Sequence, residues 1–352
     1  MRFDLNDEQR AIREAVHDLC ASRYAIDVAQ RAANESADDT LWPELAKSGW
    51  AGLGVAQAHG GQGLGVVELA LVVEELAYAL APAAFLGNAA AGLVVAAAGS
   101  EQQQERVLPG VASGERRAAF GMLDARGDAM LLDPDGAAVY VVASGDRALI
   151  ADPGTQRPES LQSLDLTRRL IKLVEVDGEA MTRGVRRGVD QVEVLVAAEL
   201  VGVAQHALDL ALEHAKQRQQ FGRPIGAYQA VSHRCADMLI EVESARSAVL
   251  SAAWTADHDP DGLAFAASVA KALAGDAAWH ATASALQIHG GIGFTWEHPI
   301  HLFLRRAAAS ARFLGGVDEH LDRAAELGGL GETAEQDGAR SPGTELSGAA
   351  RR

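Results

Sequence analysis

The sequence predicts a mainly α-helical protein with a small β domain in its middle. Three observations carry this. Ala is abundant and aromatic residues make up only 5% of the chain, a composition that favours helix and close helix packing. Apolar residues recur at helical spacing over long stretches between positions 191 and 289. One stretch, 116–185, turns β-branched and is punctuated by Asp, Pro and Gly.

At 352 residues the chain can bury a large core and is long for one compact domain. With 31 basic against 48 acidic residues, its formal charge is −17. That opposes non-specific binding to nucleic acid or to an anionic membrane surface. The two cysteines, Cys20 and Cys235, form no CxxC pair, so neither a zinc site nor a disulfide scaffold is expected. The opening Met1-Arg2-Phe3-Asp4 leads straight into a helical pattern without a secretory apolar region, so a cytoplasmic protein is expected.

Residues 1–115 read as a helical domain. Asn6-Asp-Glu-Gln9 opens a helix with acidic residues in its first turn, where they suit the helix dipole. A short helix follows from Leu41 to Gly49, then a Gly-rich turn from Leu53 to Gly63, then an apolar helix from Val66 to Leu80 carrying Glu74 and Glu75. The Ala-rich stretch from Ala79 to Gly99 is interrupted by Pro82 and Gly87 and reads as a buried helix pair rather than a membrane span. Residues 116–185 read as a β domain of a few strands, with Val139–Val142 and Leu170–Val176 the clearest. Helix resumes over 186–327. One pattern runs from Gln191 to Gln219, a second from about Tyr228 to His258, a third from Leu263 to His289, and a last from about His298 toward Ala311. Antiparallel helices of this length predict a four-helix bundle. Residues 328–352 lack periodicity and read as a disordered tail.

Two separated motifs carry the chemistry. The first is Arg218-Gln-Gln-Phe221-Gly222-Arg-Pro224-Ile225-Gly226-Ala-Tyr-Gln229, and the second is Gln287-Ile-His-Gly290-Gly291-Ile-Gly293-Phe294. An Arg offers a planar fork for phosphate, an aromatic offers a face for a ring system, and paired glycines let backbone N–H groups approach a nucleotide closely. Gly290-Gly291 also suits a helix C-cap, and His289 fits as part of that cap. In this order and on helical sequence, the motifs resemble the FAD-dependent acyl-CoA dehydrogenase family. The phrase from Leu53 to Glu75 resembles an N-terminal signature of that family, and Leu164-Asp-Leu-Thr167-Arg168-Arg169 its end-of-β-domain segment. The resemblance implies an N-terminal helical domain, a middle β domain (here reduced) and a C-terminal four-helix bundle. It assigns Arg218, Phe221, Gln229, Gln287, Gly290 and Gly291 to the pyrophosphate and adenine end of FAD bound mainly by a neighbouring subunit.

At the flavin-ring end the sequence departs from the family. The usual Thr-Glu-Pro and Gly-Ser-Asp phrases correspond to Met122-Leu-Asp-Ala-Arg-Gly127-Asp128, and no Trp lies between Trp50 and Trp254. The family's Tyr-Glu-Gly-Thr, whose Glu is the base that removes the substrate α-proton, aligns with Phe313-Leu314-Gly315-Gly316. The register is set by Arg305-Arg306-Ala307. The family's alternative base position, at the start of the long helix, aligns with Val192, and its neighbour is Glu193. Asp190 falls where some members contact substrate. Asp190 and Glu193 otherwise read as a solvated helix N-terminus. The resemblance therefore implies a subunit of a heteromeric acyl-CoA dehydrogenase, of the kind used in actinobacterial sterol side-chain breakdown. Such a subunit assembles with a paralogue into a heterotetramer, and an electron-transfer flavoprotein accepts the electrons. Two alternatives are a homomeric enzyme with its base relocated to Glu193, and a flavin-free scaffold of the same fold.

Overall fold

The computed structural model describes residues 4–24, 26–35, 41–82 and 84–330. Most of the expected tail, from residue 331 on, lies outside the described residues.

The N-terminal part is helical: α1 (Asp7–Arg23), α2 (Ile26–Glu35), α3 (Trp42–Lys47), α4 (Val66–Tyr78), α5 (Ala84–Ala98) and α6 (Glu101–Ser113). The expected start of α1 is a capping box. The Asn6 side chain accepts the Gln9 N–H at 2.8 Å, and the Gln9 side chain accepts the Asn6 N–H at 3.0 Å. The stretch 79–99 holds one helix, α5, not the expected pair. The chain turns at Leu80, whose φ is +55°, and at Pro82, before α5 begins. Fully buried Asn88 on α5 donates to the carbonyls of Ala51 and Val111 and accepts the N–H of Ala118. One amide thus ties the helices to the sheet.

The sheet is larger than expected. It has seven strands: β1 (Ala118–Leu123), β2 (Ala129–Leu132), β3 (Val139–Ser144), β4 (Arg147–Ala151), β5 (Pro158–Leu161), β6 (Leu170–Leu173) and β7 (Glu179–Met181), in the order β5-β6-β2-β1-β3-β4-β7. Only β1 and β3 run parallel. The strands missed by pattern are three to six residues long, too short for a period of two to show.

The C-terminal part contains α7 (Val185–Gln217), a two-residue-strand hairpin of β8 (Gln219–Gln220) and β9 (Arg223–Pro224), α8 (Gln229–His258), α9 (Leu263–His289), α10 (Ile300–Ser310) and α11 (Val317–Leu327). α9 matches its expected limits, and α11 is an addition. α7 is long and apolar enough to cross a membrane, but 78% of its most apolar window is buried inside the protein. It is the central helix of the bundle. It also packs on α4, where a Cβ at Gly202 would lie 2.1 Å from the Glu74 carbonyl oxygen, and on α5, where a Cβ at Gly188 would lie 2.9 Å from Val94 Cα. These glycines let the backbones touch.

Candidate cofactor half-site and base position

The residues expected to face the nucleotide gather at one end of the bundle. Arg218 is the C-cap of α7, and its N–H bonds the His214 carbonyl at 2.9 Å. Phe221 and Gly222 form the turn of the β8–β9 hairpin with φ of +51° and +79°. Positive φ at both central residues suits the twist of a two-residue hairpin, though it strains a residue with a Cβ. Phe221 is 93% exposed and touches Tyr228 edge-on at 6.5 Å. Gln229 is the first residue of α8, and Gln287 lies in the last turn of α9. Gly290 caps α9 with φ +64°, and its N–H bonds the carbonyls of Gln287 and Leu286. Contact of the His214 and His289 rings at 4.4 Å joins the end of α7 to the end of α9. Arg218, Phe221, Gln229, Gln287 and Gly291 are all exposed, and a Cβ at Gly290 or Gly291 would meet nothing within 4 Å. These groups form an open rim of cation, aromatic, amide and bare backbone turned away from the chain's own core. That rim fits the diphosphate end of a dinucleotide.

The base position lies elsewhere. After α10 the chain turns through Leu314, with φ +64°, and Gly315, with φ +104°. The Leu314 N–H lies 3.1 Å from the Met122 sulfur, and Phe313 meets Phe120 edge-on at 6.3 Å. The Leu314 side chain packs against the hydrophobic core. Buried Lys271 donates to the carbonyls of Ala311 at 3.0 Å and Gly315 at 3.2 Å. Burial pushes its ammonium down to about 8. His320 Nε2 lies 2.9 Å from the Leu314 carbonyl, which can only accept, so Nε2 carries the proton. Burial lowers that imidazole to about 4, so it is neutral. The loop is therefore well anchored by its backbone, and Leu314, at the position expected to carry the base, presents an apolar side chain that cannot transfer a proton. The sequence reading missed Lys271 and His320. Lys271 was visible as the one Lys or Arg in the Ala-rich apolar sequence of α9.

Asp190 and Glu193 do not form the solvated helix N-terminus expected of them. Both are buried. Arg186 reaches Asp190 at 2.9 Å and Glu193 at 2.8 Å, and Arg323 of α11 reaches them at 2.7 and 2.9 Å. They sit in the second and third turns of α7, facing α11, and this ion-pair cluster ties the two helices together. Val192 is fully buried in the core. At the ring end, Gly127 and Asp128 belong to the turn between β1 and β2. Asp128 pairs with Lys172 at 2.7 Å and accepts the Glu175 N–H at 3.0 Å, a structural role in the sheet. An α-helix rises about 1.5 Å per residue, which places Glu193 about 37 Å from Arg218 along α7.

The profile described as Acyl-CoA dehydrogenase, N-terminal domain, matches residues 6–115, and that described as Acyl-CoA dehydrogenase, C-terminal domain, matches residues 185–325. Acyl-CoA dehydrogenase IpdE2 of Mycolicibacterium smegmatis is 35% identical over 324 residues, spanning 91% of this chain and 98% of the relative. The chain belongs to the acyl-CoA dehydrogenase family. This is a family of oxidoreductases, and the two profiles flank the sheet. Among solved structures, the Tcur3481–Tcur3483 steroid ACAD G363A variant is 27% identical with a TM-score of 0.83, covering 92% of this chain and 98% of the other. The ChsE4–ChsE5 complex from Mycobacterium tuberculosis shares the acyl-CoA dehydrogenase fold at 23% identity, with a TM-score of 0.82 over 95% of this chain and all of the other.

Proposed function

We propose that this chain is a subunit of a heteromeric acyl-CoA dehydrogenase and that it completes the FAD site of a paralogous catalytic partner. Bound FAD supplies the oxidant for α,β-dehydrogenation of an acyl-CoA thioester. This chain's residues bind and orient it. The Arg218 guanidinium would meet the pyrophosphate, Phe221 would give a ring face, the Gly290–Gly291 turn, with no Cβ, would let its backbone approach closely, and Gln229 and Gln287 would border the same rim. The partner supplies the base, the ring pocket and the acyl-CoA site. An electron-transfer flavoprotein takes the electrons.

The observation that carries this reading is the separation of the two sites. The nucleotide-facing rim opens outward at one end of α7, while Leu314 fills the base position near the other. No single dinucleotide on this chain would join them, so a complete site calls for a second subunit. Two of the similar proteins, the Tcur3481–Tcur3483 steroid ACAD and the ChsE4–ChsE5 complex, pair differently named chains. A sterol-derived acyl group is accordingly the substrate class we assign.

One observation favours a homomeric enzyme. Burial pushes the Glu193 carboxyl up to about 7, although Arg186 and Arg323 oppose the shift, and that range suits a general base. Against it, Arg186 engages one carboxylate oxygen and Arg323 the other. The deciding experiment is FAD per chain, read by visible absorbance, on the protein alone and on the complex with its partner. Little FAD alone and one per heterodimer is the expected result. One FAD per chain in the isolated protein would overturn the half-site, and FAD in neither state would leave the flavin-free scaffold. Glu193→Gln separates the catalytic readings further. It should leave turnover of the complex near normal while lowering the melting temperature, because one partner of a buried ion-pair cluster is lost.

A further inference from the structure

At the half-site end of the bundle three imidazoles lie in a row. His289, the last residue of α9, has its ring centroid 4.4 Å from that of His214 on α7 and 4.2 Å from that of His298. His298 stands between the Gly290–Gly291 turn and α10. Hydrogen bonds fix the proton on two of these rings. The Ala285 carbonyl can only accept, so His289 Nδ1, at 2.7 Å, donates to it. The Ile300 N–H can only donate, so His298 Nδ1, at 3.3 Å, accepts from it and the His298 proton sits on Nε2. Ile300 is the first residue of α10, whose leading N–H groups have no partner inside the helix. His298, one residue before the N-cap Pro299, supplies an acceptor for the first of them. An imidazolium has no acceptor nitrogen, so a proton arriving at His298 Nδ1 turns that acceptor into a donor facing the Ile300 N–H.

The surroundings offer no compensation for that charge. The groups acting on the three rings are the rings themselves, Arg218 at the end of α7 and His301 on α10, which in turn feels Arg305. The nearest carboxylates in sequence are Glu213, which accepts from Gln217, and exposed Glu297, and neither contributes to the shifts of the three rings. Burial also disfavours the charged form of all three.

We propose that His298 and His289 are positioning residues for the Gly290–Gly291 turn and hold it only as neutral imidazoles. Proton uptake breaks the Ile300 N–H to His298 hydrogen bond, places like charges side by side and loosens the segment from 290 to 299. The functional consequence rests on the half-site reading: FAD held by the partner loses the Gly290–Gly291 contact as the cluster charges. The sign follows from the depressed imidazoles. His298 is held down to about 4 against an ordinary 6.5. Its neutral state contributes in full above 6.5, and the contribution is lost as pH falls from there toward 4.

Two variants test this. His298→Asn keeps an acceptor for the Ile300 N–H but does not titrate. His298→Leu removes the acceptor. Amide hydrogen exchange over residues 287–301, corrected for intrinsic rates, is read on the full chain at pH 7.5 and pH 5. FAD retention is read at the same pH values on the complex isolated from the native host through a tag on this chain. Wild type should show about tenfold more opening at pH 5, the scale of one lost buried hydrogen bond. His298→Asn should stay closed at both pH values and His298→Leu should be open at both, with FAD loss following the opening. Wild-type exchange that is flat with pH, or His298→Asn tracking wild type, overturns the proposal. Opening without FAD loss would keep the positioning role and overturn the half-site reading instead. If His298→Leu does not fold, the comparison of His298→Asn with wild type still decides.

Discussion

A single glycine separates binding from folding at the nucleotide rim. Gly291 has no positive φ and nothing within 4 Å of where a Cβ would stand. Gly291→Val should therefore fold with an unchanged melting temperature and yet strip FAD from the complex, with the visible flavin spectrum as readout. If FAD is retained, the Gly290–Gly291 turn is not where the nucleotide lies. Residues of this kind were legible in the sequence because their identity is the signal. A Leu in place of a Glu, or an Arg three positions before a Phe, needs no coordinates to be noticed. The environment of Glu193 was not legible. Its neighbours suggested a solvated helix start, but Arg323 lies 130 positions away, and only the fold brings the two together.

Among the elements, the contact of α4 with α7 is the most sensitive to volume. A side chain at position 202 must displace the Glu74 carbonyl, and no flexible side-chain end is there to yield. Gly202→Val should lower unfolding free energy by about 1–3 kcal/mol, the usual cost of overpacking, measured by urea denaturation. A shift below experimental error would mean that the two helices are free to separate. The long helices were readable because their apolar stripes repeat over many turns, and α9 begins and ends where its pattern does. The sheet was not readable in full. Its strands are short and take their partners from distant positions, such as β2 from β6 and β4 from β7, so the information that makes them strands is not local.

Across the whole molecule, one buried guanidinium joins the three regions. Arg306 on α10 is fully buried and pairs with Asp165 and Thr167 from the connection between β5 and β6. It also donates to the carbonyls of Ala81 and Leu80 in the turn between α4 and α5. Arg168 pairs with Asp165 and with Glu199 on α7, extending the network into the centre of the bundle. Arg306→Met conserves much of the volume but leaves Asp165 buried with one cation fewer. It should cost about 3–5 kcal/mol, seen as a lower denaturation midpoint. A midpoint within error of wild type would show that the network is dispensable for stability. The phrase from Leu164 to Arg169 was noticed in the sequence as a resemblance. Its physical reason, a junction of helical domain, sheet and bundle, required the fold.

The apolar length of α7 sets a problem of timing during synthesis. Its core-forming neighbour α9 is complete only at His289, 72 residues after α7 ends at Gln217. At translation rates of about 5–20 residues per second, that is an interval of about 4–14 s. For that time a segment long and apolar enough to be taken for a membrane span is outside the ribosome without its bundle. The helices already made are the ones it touches through glycine: α4 at Gly202 and α5 at Gly188. The close approach that those glycines permit gives the nascent segment a sheltered face before the rest of the bundle exists.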